Sequence, residues 1–388
     1  IRIGRIHLRQ SEYDKAIDIF KEVVQKSPDN LDAKVYLGRS YLGNRQITEA
    51  KQTFDGITVG NQNSKYYQGI IAAYFGSYDQ SKKLLSDAIN INTSTDITKK
   101  ANNFLEAFDE FKNTTESPNI HLKTLLARSF NQTGEYQMAI PLLFDVIKEK
   151  KDYRDAWILL GYAYLNINKY QDAIDALEEA KKLDPQKPET LFFLGLSYYS
   201  INNYKDAVTN LELAKTNGFE PKIQVDQKLA EIYLLLNNYE KSAENYENVL
   251  ALNDQDINYY IRPIWIYIEE LKKPSKALAL ALKAKEHHPH EAMTYNLLGW
   301  AYVSGREFDE AESNLKIAMA MDPQLDATYL NYGILFESKG EIDKAINFYR
   351  KAHEKGKGDA ISNLAADHYN KLIAQSNNKN TMANSLNN

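Results

Sequence analysis

The chain has 388 residues, 43% of them hydrophobic, with 47 Lys and Arg against 52 Asp and Glu and a formal net charge of −5. One compact core rarely grows to this size, so length alone points to several domains or to an extended, stacked core. Opposite charges are interspersed with no basic stripe, which argues against a nucleic-acid surface, and the absence of cysteine excludes disulfides and cysteine-ligated metals.

No run of about 20 apolar residues occurs, so nothing in the sequence reads as a membrane-spanning helix. A cysteine-free chain favours an extracytoplasmic bacterial setting, and the Lys, Asn, Ile and Tyr usage has a bacterial look. The first stretch, IRIGRIHLRQ, begins without Met and already inside an amphipathic helix, with no cap and no first turn. It reads as a fragment or a processed product. The expected missing part is further repeats, a signal segment or a transmembrane helix, and a membrane anchor is expected only there.

From that point one pattern returns along the chain, and residues 154–187 show it most clearly. Trp157, Leu160, Gly161 and Tyr164 follow the i, i+3, i+4, i+7 spacing of one helix face. Tyr170, Ala173, Ile174, Leu177 and Ala180 do the same for a second helix, and Asp184-Pro185 closes the unit. Gly161 and Ala173 stand where the two helices must approach closely. Residues equivalent to Ala173 are Ala16, Ala50, Ser81, Ala139, Ala207, Ser242, Ala277, Ala311 and Ala345. Their separations, Ala173 included, are 34, 31, 58, 34, 34, 35, 35, 34 and 34. The partner twelve positions earlier is Gly4, Gly38, Gly69, Ala127, Gly161, Gly195, Ala230, Trp265, Gly299 and Gly333.

A sustained period near 34 made of two short helices resembles the tetratricopeptide repeat family, over residues 1–357 in ten units. The resemblance implies an all-α fold, a right-handed superhelical solenoid in which each unit packs on its neighbours. Three repeats are expected over 1–92, the first of them truncated. The 58-residue gap places an extra helix and linker at 93–119, with Phe104, Leu105, Phe108 and Phe111 at helical spacing. That helix is expected to pack on the array as a spacer, with a hinge as the alternative.

Repeats four to ten follow over 120–357. The eighth is the irregular one, because Trp265 replaces the small residue and Pro263 falls mid-helix, where a kink is expected. A capping helix is expected over 358–374, followed by a disordered, Asn-rich tail at 375–388.

Chemistry is not apparent. His287-His288-Pro289-His290 is the one histidine cluster, and it lies in an inter-repeat turn where Pro289 matches Pro185 and Pro323. No metal, cofactor or catalytic set is expected, and the chain reads as a non-enzyme. Function is expected to come from shape. The resemblance implies that first helices line a concave groove that takes a peptide or helical segment of a partner protein. Arg128, Tyr162, Phe192, Tyr199, Tyr259, Arg262, Asn296, Trp300 and Asn331 are the expected contacts, and Tyr66 is placed on the same face. Aromatics would take apolar side chains, and Arg128 or Arg262 an acidic group. Asn296 and Asn331, read as matching positions of adjacent repeats, would hydrogen-bond the partner backbone. The Lys and Asn set of the family's dicarboxylate clamp is not present. The alternatives are an assembly subunit docking through its convex face or N-terminal end, with self-association included, and an accessory domain of a larger enzyme.

Overall fold

The computed structural model describes residues 1–112 and 118–386, with side chains for 1–111 and 119–375. Residues 113–117 of the expected linker and the last two residues of the tail lie outside them. The chain divides into two compact units, Ile1–Phe219 and Glu220–Asn388. Among the described residues every regular element is helical, and none of the helices is long and apolar enough to cross a membrane.

The first unit opens with three helix pairs, α1 (Arg2–Arg9) with α2 (Tyr13–Lys26), α3 (Leu31–Gly43) with α4 (Ile47–Asp55), and α5 (Gln62–Tyr74) with α6 (Tyr78–Ile91). The unpaired α7 (Thr95–Lys112) follows and packs on α5, α6 and α8. It therefore sits within the first unit. Three further pairs complete the unit. They are α8 (Pro118–Thr133) with α9 (Tyr136–Glu149), α10 (Arg154–Asn166) with α11 (Tyr170–Leu183), and α12 (Pro188–Ser200) with α13 (Tyr204–Thr216).

The second unit starts with α14 (Lys222–Leu235) and α15 (Tyr239–Leu252). Next come α16 (Asn258–Trp265), a π-helical turn over Ile266–Glu270, and α17 (Pro274–His287). The last pairs are α18 (Ala292–Gly305) with α19 (Phe308–Met321), and α20 (Asp326–Ser338) with α21 (Ile342–Gly356). The final helix, α22 (Ala360–Leu386), passes the end expected at 374 and takes in most of the segment expected to be disordered. Ala365 and Leu372 on α22 are buried against the last pair, and a helix anchored this way propagates at low cost through polar residues.

One contact recurs in the seven pairs whose first helix carries the repeat glycine. A Cβ built at Gly195 would lie 2.5 Å from Leu211 Cγ, and one at Gly299 would lie 2.5 Å from Leu315 Cγ. Each leucine is sixteen residues beyond its glycine, so glycine on the first helix makes room for a large side chain on the second. Repeat eight inverts this. The π-helical turn adds a residue to the first helix, so fully buried Ile264, and not the expected Trp265, stands at the glycine position, and the corresponding residue on the second helix is Ala281, also fully buried. The expected kink at Pro263 takes the form of a widened turn, in which Leu271 N–H donates to the Ile266 carbonyl at 2.9 Å. Proline cannot donate to the ladder and crowds the preceding turn, so the helix spends an extra residue beyond it.

The hairpin turns are also fixed by repetition. Asn168, Asn202 and Asn237 have φ of 60°, 62° and 55°, a region that asparagine tolerates better than most residues. The hydroxyls of Tyr170, Tyr204 and Tyr239, two residues on, donate to these Asn Oδ1 atoms at 2.8, 2.9 and 3.1 Å.

Candidate functional site

In the second unit, a cavity of about 300 Å³ is lined by Ile268, Glu269, Lys272, Trp300, Val303, Ser304, Arg306, Ile334 and Ser338. All of these lie on first helices of repeats eight to ten or in the turns that end them, so the cavity is formed on the first-helix side of these repeats. Trp300 and Ile334 each follow the glycine of their repeat and are 34 residues apart, which places them side by side. Trp300 is half-buried, and its indole N–H has no hydrogen-bond acceptor among the described residues. Arg306 is exposed at the rim, with φ of 63°, and Lys272 stands 3.6 Å from Glu269. The result is an apolar floor with cations at its edge.

The expected contact residues separate into two groups. In the second unit Tyr259 is half-buried against the core, while Arg262 is exposed, its guanidinium carbon 6.0 Å from the Trp265 ring centre. In the first unit Tyr162 is half-buried, edge-on to Tyr136 at 6.1 Å and tilted on Phe193 at 5.0 Å. Burial, with Tyr162 alongside, pushes the Tyr136 phenol up to about 12. Tyr199 is half-buried, its ring 6.0 Å from that of Tyr204. Arg128 pairs with Glu110 of α7 and lines a cavity of about 300 Å³ with Tyr153, Asp155, Lys187 and Glu189.

Four residues do not face a groove. Phe192 is 5% exposed and stacks on Phe219 at 4.0 Å, because its neighbour Phe193 takes the more open position. Tyr66 is fully buried, edge-on to Tyr67 and Phe104. Asn296 and Asn331 are buried, and Asn331 Nδ2 donates to Asn296 Oδ1 at 2.9 Å. They are 35 residues apart while Gly299 and Gly333 are 34 apart, so they are one position out of register and meet across the repeat boundary. A buried amide must find a partner, and these two find each other.

Residues 7–74, 227–256 and 296–360 each match the tetratricopeptide repeat family. The chain is a tetratricopeptide repeat protein. Residues 146–214 match the anaphase-promoting complex, cyclosome, subunit 3 family. The chain is 40% identical over 57 residues to the BBSome complex member BBS4 of Bos taurus, which is 15% of this chain and 11% of that protein. It is 22% identical over 148 residues to the RNA polymerase-associated protein CTR9 of Saccharomyces cerevisiae (strain ATCC 204508 / S288c), 38% of this chain and 14% of that protein. The chain thus spans a small part of the length of the curated relatives it matches. The APC/C hetero-tetramer Cut9-Hcn1 is similar in structure over 95% of both chains, at 13% identity and a TM-score of 0.35.

Among the described residues of this tetratricopeptide repeat array, no group of three or more His, Cys, Asp or Glu is placed to hold a metal ion. Both ring nitrogens of His288 are already used, Nδ1 at 3.0 Å from Glu291 and Nε2 at 2.8 Å from the Asp254 carbonyl. His287 lies 3.4 Å from Asp254. These contacts tie the inter-repeat turn to the preceding one. Two exposed first-helix residues were not among those singled out from the sequence, Arg5 and Arg39, which follow Gly4 and Gly38 as Trp300 follows Gly299. That equivalence was readable from the spacing of 34 alone.

Proposed function

We propose that the chain is a non-enzymatic protein-interaction scaffold whose inner groove around Trp300 takes a peptide or helical segment of a partner. The observation that carries this reading is a half-exposed tryptophan with an unused N–H, set between Ile268 and Ile334 and rimmed by Arg306 and Lys272. Tryptophan and arginine dominate interface energetics, and truncating one such anchor typically costs about 2 kcal/mol or more. The repeats supply a rigid frame, so little ordering cost falls on the groove when a partner enters.

The test is retention of partners by the intact chain and by Trp300→Ala, with unfolding midpoints measured on both. A partner held only by the intact chain, with equal midpoints, supports the groove. Equal retention removes it from the binding surface. A second reading, an assembly subunit docking through its first repeat, is supported by Ile3 and Ile6 of α1, which are 64% and 53% exposed. Charged substitutions at both positions would then abolish retention while Trp300→Ala would not.

A further inference from the structure

The inner face of repeats one to three carries a second surface, separate from the Trp300 groove. Arg5 and Arg39 hold the same position on adjacent first helices, 34 residues apart. The Arg5 guanidinium carbon lies 5.4 Å from the Tyr36 ring centre, and that of Arg39 lies 5.7 Å from Tyr36 and 5.7 Å from Tyr67. Cations and rings therefore alternate in the order Arg5, Tyr36, Arg39, Tyr67. Phe20 stacks on Tyr36 at 5.4 Å and Phe54 on Tyr67 at 5.2 Å, which fixes both rings from the core side.

Both arginines are exposed, and among the described residues no carboxylate lies within 4.0 Å of either. A guanidinium held against ring faces keeps its N–H groups in its own plane, free to meet a carboxylate in bidentate fashion. The chain already directs one carboxylate toward this surface. Glu135, in the turn before α9, lines a cavity of about 290 Å³ together with Arg39, Tyr67 and Lys100. Burial there pushes the Glu135 carboxyl up, while Arg39 and Lys100 act to lower it. Glu135 is thus a carboxylate near the cations but short of a paired geometry.

We propose that the Arg5, Tyr36, Arg39, Tyr67 ladder is a docking surface for an acidic peptide segment, with Glu135 as an internal competitor at the Arg39 position. The spacing sets the pattern of the partner. Through their shared ring the two guanidinium carbons are at most about 11 Å apart, and an extended strand rises about 3.3 Å per residue with alternate side chains on one face, so carboxylates two residues apart reach both.

The test uses a fluorescein-labelled peptide with Glu at every second position and its Gln counterpart, read by anisotropy at low ionic strength. The full chain is expected to bind the Glu peptide and not the Gln peptide. The double variant R5Q/R39Q should bind at least about tenfold more weakly, the loss expected when a charge-assisted contact is removed. The control R2Q/R9Q removes the same charge from two other exposed positions of α1 and should bind as the intact chain does. Glu135→Gln, nearly isosteric, should bind more tightly. Equal weakening in both double variants would reduce the effect to bulk charge and overturn the proposal. So would unchanged or weaker binding by Glu135→Gln, or no binding by either the intact chain or Glu135→Gln. If R5Q/R39Q loses its helical signal, the Glu135→Gln result decides alone. Trp300→Ala should leave the Glu peptide bound, so failure here and failure of the Trp300 groove are read separately.

Discussion

Replacing Gly195 with alanine adds one methyl group at the point where the paired helices touch. The new Cβ would stand 2.5 Å from Leu211 Cγ, 2.8 Å from Leu211 Cδ2 and 3.2 Å from the Ala207 carbonyl oxygen. Leu211 and Ala207 are fully buried, so neither can swing into solvent, and the carbonyl belongs to the backbone of α13. Two effects oppose each other. Alanine is favoured over glycine in a helix interior by about 0.8–1.0 kcal/mol. Forcing an extra methyl into a packed contact costs about 1–3 kcal/mol. The net expectation is a loss of about 0–2 kcal/mol where helix propensity alone would give a gain.

The sign becomes decisive in a double-mutant cycle. Leu211→Ala alone should cost about 2–5 kcal/mol, but it vacates the space that the new methyl needs. In that background Gly195→Ala should be neutral or stabilising, giving a coupling of about 1 kcal/mol or more. Urea titrations followed by circular dichroism on the four proteins measure this. If Gly195→Ala stabilises both backgrounds equally, the helices do not approach as described, and the reading of every small residue in the repeat falls with it.

Asn331→Ala should destabilise by about 1–3 kcal/mol, because the buried Asn296 carbonyl loses its donor, and the unfolding midpoint reports it. Glu135→Gln gives a pH signature. The folded-state pKa is raised, so the folded chain holds the proton more tightly, and stability falls as pH rises from the ordinary carboxylate range through the raised value. The variant should match the intact chain at pH below that range and exceed it at neutral pH, and an equal difference at both would refute the assignment. Ala281→Leu should destabilise by about 1–3 kcal/mol through crowding in repeat eight, whereas Ala281→Gly should cost about 1 kcal/mol from helix propensity. Thermal melts separate the two.

The architecture was readable because period, small-residue markers and helix spacing all say the same thing, from Gly4 with Ala16 to Gly333 with Ala345. The Phe104, Phe108 and Phe111 spacing pointed to an extra helix, and α7 runs over Thr95–Lys112. Facing was harder to read. One residue along a helix turns about 100°, so a register error of one moves a side chain from groove to core. Phe192 and Phe193 differ by that one step, as do Tyr66 and Tyr67, and composition does not distinguish them. The Asn296 and Asn331 pair failed for the same reason, its separation of 35 concealing a shift against the glycine markers. Glu135 lay beyond any local reading, since its meeting with Arg39 depends on α3 and α9 coming together across the intervening repeats.

The inverted pair in repeat eight has a consequence for assembly. Most hairpins here set a small residue on the first helix against a large one on the second, so nothing local stops a nascent hairpin from closing with the wrong partner helix, the characteristic error of repeat chains. Ile264 and Ala281 are an exception. Ile264 set against Leu315 would collide, and Ala281 set against Gly299 would leave a void, so α16 and α17 fit each other and mismatch their counterparts in repeat nine. One bulky residue and one small one, exchanged between two helices, give a uniform array a single keyed joint from which the count of the rest can be set.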